Sequence, residues 1–178
     1  MRIVAGKYRH RLIDYPDDPS IRPTKDRIRE ALFSALGDIS SLEVLDLYAG
    51  SGAMGIEALS RGASSCTFVD CYQVAIKTIK NNLANLAITN YELLFDKDFD
   101  ALDKLKTKGK QFDLIILDPP YKSETYIDVI NYLLSNGLCK SHARIVTECN
   151  HELDFSNVNF IKKKEYRYGE IIVNVLYL

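Results

Sequence analysis

The ten residues Phe112-Asp113-Leu114-Ile115-Ile116-Leu117-Asp118-Pro119-Pro120-Tyr121 restrict the possible folds of this chain more than any other stretch. Five of the first six are apolar and two are β-branched, the pattern of a strand buried on both faces. Such strands lie in parallel sheets covered by helices on each side. Pro119 and Pro120 lack the N–H that a ladder needs, so the strand has to stop there. Each proline also keeps the residue before it out of helical conformation. The result is a stiff, extended tetrapeptide at the carboxyl end of a central strand, where open α/β sheets bind their ligands. It offers one carboxylate, free carbonyls and an aromatic face: a holder for a flat group that bears an amino function.

The flanking sequence supplies the rest of such a sheet. Strands are expected at 44–48, 65–70, 91–95 and 143–149. Helices are expected at 54–61 (closed by Gly62), 74–86, 99–105 and 123–134. Segments 155–161 and 171–177 alternate around Gly169 and read as a closing antiparallel hairpin. Upstream, residues 2–13 suggest a short strand pair or arm, and 14–23 a loop set by Pro16, Pro19 and Pro23. Thr24 stands where an N-cap belongs, and Gly37 marks the end of the helix it would open. Ile28, Ala31, Leu32, Ala35 and Leu36 form the docking face of that helix, with Lys25, Arg27 and Arg29 pointing elsewhere. The expectation is an α/β fold, a mostly parallel doubly wound sheet with right-handed crossovers. With 178 residues, one domain is expected over 1–178: a basic arm and helix at 1–40, then a core at 41–178.

Ala49-Gly50-Ser51-Gly52-Ala53-Met54-Gly55 follows the first strand and opens a helix, which gives its G-x-G-x-x-G spacing structural meaning. Its glycines let backbone approach a ligand, and the helix N-terminus offers N–H groups to an acceptor. Asp70 ends the next strand about 20 residues on, placed to accept hydrogen bonds from ribose hydroxyls. Asp46 discriminates among nucleoside cofactors. A carboxylate beside this loop repels a pyrophosphate and welcomes an ammonium group. That favours S-adenosylmethionine, which is cationic and phosphate-free, over NAD. Asp98 either accepts from the adenine amino group or caps the next helix. Tyr48, Ala49, Gly50, Ser51, Gly52, Gly55 and Cys71 complete the candidate cofactor set with these three acids.

Net charge is −1, but residues 1–30 carry eight Lys/Arg against five Asp/Glu. A basic end on an acidic body suggests a polyanion contact surface. The four cysteines show no CxxC pair and no histidine at ligand spacing, so no metal site is expected. The start of the chain lacks a signal-peptide core and no run is long enough to span a bilayer, so a cytoplasmic protein without membrane contact is expected.

The segment 43–55, then Asp70, then Asp118-Pro119-Pro120-Tyr121, resembles the motifs of class I S-adenosylmethionine methyltransferases that modify exocyclic amines. Arg2-Ile3-Val4-Ala5-Gly6 with Lys7, Arg9 and Arg11, followed by Arg22-Pro23-Thr24-Lys25-Asp26-Arg27 and the helix after it, is similar to the RsmD family in particular. Tyr168-Gly169-Glu170 fits it too, and the resemblance covers nearly the whole chain. It implies a Rossmann-like class I fold and methylation of the N2 amine of a guanine in 16S ribosomal RNA, bound alone or within a small ribosomal subunit. The chain departs from the family pattern at Ala5 and His10, where glycine is common, and at Cys71-Tyr72, where a second acid sometimes stands.

On this reading Asp118 and the Pro119 carbonyl hold the acceptor amine, Pro120 stiffens the segment, and Tyr121 stacks on a base splayed into the pocket. Arg2, Lys7, Arg9, Arg11, Arg22, Thr24 and Arg27 are the candidate RNA contacts. Arg22 and Thr24 touch RNA or cover the cofactor; the sequence leaves both open. A monomer is expected. The alternatives are an adenine-N6 methyltransferase, which shares the DPPY segment, and a non-catalytic cofactor-binding factor in ribosome assembly. A protein-glutamine methyltransferase would prefer Asn at position 118, and an NAD dehydrogenase must explain Asp46.

Overall fold

The computed structural model describes residues 1–16, 26–119 and 125–178. Seven strands form one sheet in the order β3-β2-β1-β4-β5-β7-β6. Strands β1 (Glu43–Leu47), β2 (Ser65–Asp70), β3 (Tyr91–Phe95), β4 (Phe112–Leu117) and β5 (Cys139–Cys149) run parallel. The pair β6 (Lys162–Tyr168) and β7 (Ile171–Tyr177) closes the sheet as an antiparallel hairpin on β5. Gly169, with φ 65, makes the turn. Helices α2 (Ala53–Ser60), α3 (Gln73–Asn85), α4 (Asp98–Thr107) and α5 (Tyr126–Ser135) are the crossovers, and α1 (Asp26–Leu36) precedes the sheet.

Alternation along each strand divides the core in two. Val44, Cys66, Phe68, Leu114, Ile116, Val146 and Val173 face α1, α2 and α3. Leu45, Leu47, Val69, Ile115, Leu117 and Ile145 face α4 and α5. The apolar run of β4 is thereby explained: it sits between β1 and β5 with both faces covered.

Two expectations need correction. The first strand of the hairpin is Lys162–Tyr168, not 155–161. Phe155 and Val158 are buried under α5 from a loop, and Ile161 is largely exposed. The charged run Lys162-Lys163-Lys164-Glu165 forms the edge strand instead, where lysines are tolerated because one side of the ladder faces water. The second correction is Arg29, expected to point away from the body. It is 0% exposed on the inner face of α1. Its Nε lies 3.4 Å from Glu57 Oε2, and its Nη2 bonds Asp26 Oδ1 at 2.9 Å and the Arg2 carbonyl at 2.5 Å. A smaller difference is the earlier start of β5. The Thr24 cap lies outside the described residues.

The arm is built on this buried pair. Arg2 bridges to Leu12, and the turn between them passes through Gly6 (φ 80) and His10 (φ 69). His10 thus holds a left-handed conformation that glycine would adopt without strain. Glu57, 0% exposed on α2, accepts the Val4 N–H at 2.8 Å and the Ala5 N–H at 3.0 Å. Ser60 takes the Tyr8 N–H on its hydroxyl and the Lys7 N–H on its carbonyl. The approach is close enough that a Cβ on Gly6 would lie 1.8 Å from the Ser60 carbonyl oxygen. Nothing larger than glycine fits there.

Candidate active site

The glycine loop leaves β1 through Tyr48, whose φ of 72 turns the chain sharply, and Gly50 and Gly52 continue the turn at φ 56 and 77. Gly52 is the N-cap of α2 and makes no side-chain cap bond. The orphan donor three residues further on, in the first turn of α2, is met from below: Asp46 Oδ2 accepts the Gly55 N–H at 2.8 Å. This revises one expectation, because that N–H is held by the protein's own carboxylate. Gly55 also has a packing role. A Cβ there would lie 2.3 Å from Phe68 Cε1 and 2.6 Å from Cys66 Sγ, so glycine is what lets α2 lie against β2.

Asp46 is 2% exposed, and burial pushes its carboxyl up to about 7, against the pull of the Gly55 N–H; Asp70 adds a smaller push upward. Its chemistry suits an ammonium group, which would stabilise the ionised form, and opposes a phosphate. Asp70, at the end of β2, accepts the Gly50 N–H on Oδ2 at 2.8 Å and the Tyr72 N–H on Oδ1 at 2.9 Å. Burial raises its carboxyl and these backbone donors offset part of that rise. Cys71 beside it is exposed. Asp98 is the first residue of α4 rather than its N-cap, which is Lys97. Its Oδ2 accepts the Tyr48 hydroxyl at 2.7 Å and its Oδ1 the Phe99 N–H at 2.9 Å. Burial and then this bond hold the Tyr48 proton on, above the usual range. The Tyr48–Asp98 bond therefore ties the start of the loop to the start of α4.

Asp118 and the buried Pro119 follow β4. The β1–β4 register pairs Leu47 with Leu117, so the glycine loop and Asp118 leave the same end of neighbouring parallel strands. Loop and clamp emerge side by side although they are far apart in sequence. Pro120 and Tyr121 lie outside the described residues, as do Arg22 and Thr24. Of the candidate RNA contacts that are described, Arg2, Lys7, Arg9, Arg11 and Arg27 are exposed. Arg2 pairs with Asp26 at 3.3 Å and Arg11 donates to the Asn85 carbonyl at 3.0 Å.

Sequence reasoning missed Glu57 and Ser60, which hold the arm to α2, and Asn82, which joins it to the loop. A single glutamate inside the otherwise apolar stretch Ala53–Ser60 was the available signal, since an acid on a buried face has to have partners.

A Rossmann-like class I methyltransferase is what this strand order, glycine loop and flanking acids define. The chain belongs to the family described as "Conserved hypothetical protein 95", whose model matches residues 1–177. It is similar to the "Ribosomal RNA small subunit methyltransferase D" of Escherichia coli (strain K12), at 36% identity over 153 residues, covering 85% of this chain and 76% of that one. The protein of the same name from Buchnera aphidicola subsp. Baizongia pistaciae is 35% identical over 176 residues, covering 96% and 88%. A solved structure described as "Putative methyltransferase yhhF from Escherichia coli" superposes with a TM-score of 0.87 at 32% identity, covering 99% of this chain and 97% of that one.

Proposed function

We propose that this protein transfers a methyl group from S-adenosylmethionine to the exocyclic N2 amine of a guanine in small-subunit ribosomal RNA. The observation that carries the reading is the adjacency of the Asp46 glycine loop and the Asp118-Pro119 segment on neighbouring parallel strands. One end of the sheet thereby offers a seat for a cationic nucleoside and, beside it, acceptors for an amine. The names of the relatives support ribosomal RNA as the acceptor.

Asp46 would take the ammonium group of the cofactor, the loop from Tyr48 to Gly52 would hold its length, and Asp70 would accept from the ribose hydroxyls. Asp98 and Cys71 would hold the adenine end. When bound, the cofactor supplies an electrophilic methyl carbon. Asp118 and the Pro119 carbonyl accept the two N–H groups of the guanine amine, which turns the nitrogen lone pair toward that carbon and away from the ring. The surplus proton leaves the methylated nitrogen through Asp118, so no histidine base is needed. Pro120 keeps the acceptors rigid and Tyr121 stacks on the extruded base. Residues 1–40 face the RNA, with Arg2, Lys7, Arg9, Arg11 and Arg27 on its phosphates and Arg22 and Thr24 on the RNA or over the cofactor, and 41–178 form the catalytic core. The RNA substrate places the reaction in the cytoplasm. No helix among the described residues is long and apolar enough to cross a membrane.

Mapping methylated nucleotides in ribosomal RNA from cells with and without the gene tests this. One guanine losing its N2 methyl group is the expected result. An unchanged guanine pattern, or the loss of an adenine methylation, overturns it.

A further inference from the structure

Asn82 belongs neither to the cofactor loop nor to the arm, yet it holds both. It lies on the inner face of α3 and is 1% exposed. Its Nδ2 donates to the Ser51 carbonyl at 3.1 Å and to the Asp14 carbonyl at 3.0 Å. Its Oδ1 accepts the Asp14 N–H at 2.7 Å. Ser51 is in the middle of the glycine loop. Asp14 follows the last bond of the arm, Ile13 N–H to the Met1 carbonyl at 3.0 Å, and leads into the segment that carries Arg22 and Thr24.

An amide offers two donors and an acceptor, and here all are used on backbone. A leucine would fill the same space without needing partners, whereas a buried amide is stable only while each bond is kept. The three bonds therefore make the position of Ser51 and the position of Asp14 one variable. Ile79, one turn earlier on α3, supports the same seat: a Cβ on Gly52 would lie 3.2 Å from its Cγ1. A ligand that fixes the glycine loop fixes the point from which the arm departs.

We propose that Asn82 is a positioning residue that couples the cofactor loop to the RNA-facing arm, so that filling the cofactor site tightens RNA binding. This rests on the function proposed above. The coupling is reciprocal: RNA tightens the cofactor by the same factor.

The test is the ratio of RNA affinities with and without S-adenosylhomocysteine, using a small-subunit ribosomal RNA transcript as probe. The parent is expected to bind RNA at least about five-fold more tightly with the cofactor product present. Asn82→Ala is expected to bring that ratio to one while each ligand still binds alone. Asn90→Ala, which removes a bond to the Ser64 carbonyl outside this seat, keeps the parent ratio. Should Asn82→Ala fail to fold, Asn82→Asp keeps the acceptor for Asp14, removes both donors and reads the same ratio. In the parent alone, S-adenosylhomocysteine is expected to slow hydrogen exchange at the Asp14 amide. A parent ratio of one, an Asn82 variant with the parent ratio, or an Asp14 amide indifferent to the cofactor product overturns the inference. A parent that shows the coupling but methylates no RNA overturns the proposed function alone.

Discussion

Asp46 Oδ2 and the Gly55 amide, 2.8 Å apart, join the end of β1 to the first turn of α2. A helix N-terminus is a natural seat for an anion, and this one already contains a carboxylate from its own sheet. The phosphate that a dinucleotide would bring meets a negative charge, and an ammonium group meets a partner.

This sets a pH dependence. The folded protein holds the Asp46 proton up to about 7, while the unfolded chain releases it near 3.8. Between those values the folded state binds more protons, so this group's contribution to stability is full below about pH 4 and is lost as pH rises through about 7. Asp70, also raised by burial, adds to the same fall. Urea unfolding from pH 4 to 8 is expected to show the decline, and Asp46→Asn to flatten it. An ammonium ligand favours the ionised carboxylate, so S-adenosylhomocysteine affinity should rise with pH up to neutrality in the parent and stay level in Asp46→Asn, as read by calorimetry.

Asp118→Ala is expected to keep cofactor affinity within about two-fold and to reduce methyl transfer by at least about a hundredfold, the usual scale for losing one preorganised polar contact to the reacting group. Single-turnover methylation of ribosomal RNA checks it, and full activity in the variant removes Asp118 from the mechanism.

Gly55→Ala forces a methyl group against Phe68 and Cys66, both fully buried. Overpacking of this kind costs about 1–3 kcal/mol. A lower midpoint in urea is expected, with any cofactor affinity lost because α2 shifts from β2.

Glu57→Gln leaves the Arg29 guanidinium buried with a neutral neighbour and one fewer acceptor for the arm. Removing one member of a buried pair costs about 3–5 kcal/mol. Asp26 still bonds Arg29, so the loss is expected at the low end of that range. Denaturant titration gives the figure.

Neutralising Lys7, Arg9 and Arg11 together should weaken RNA binding and flatten its dependence on salt by about one counterion per lost contact. Filter binding from low to moderate salt measures both. Unchanged slope and affinity would place the RNA surface elsewhere.

The parallel core was legible because each of its strands is a short apolar run bounded by turn residues; 65–70, 91–95 and 112–117 match the observed strands residue for residue. The β6 strand was not. Its sequence, Lys162 to Tyr168, reads as solvated loop because an edge strand has to pack only one of its faces. The positions of Asp46, Asp70 and Asp118 near strand ends were legible because the loop and the prolines mark those ends. The buried polar links were not legible. Arg29 and Glu57 meet across two helices, and Asn82 on a third reaches Ser51 and Asp14, through tertiary packing that no local period encodes.

Glu43 and Asp113 stand 70 residues apart in the chain and are hydrogen-bonded at 2.9 Å, at the base of the same strand pair that carries the loop and the clamp at its other end. During synthesis, β1, β2 and β3 can assemble with their helices before β4 leaves the ribosome. The half-built sheet then presents the open edge of β1, its future centre, to whatever strand is near. Insertion of β4 covers that edge and brings Asp118 and Pro119 to the end of the sheet that carries the loop. Contacts of such long sequence separation are slow to form. A nascent chain truncated before Phe112 is thus expected to be adhesive and, under the proposed mechanism, inactive.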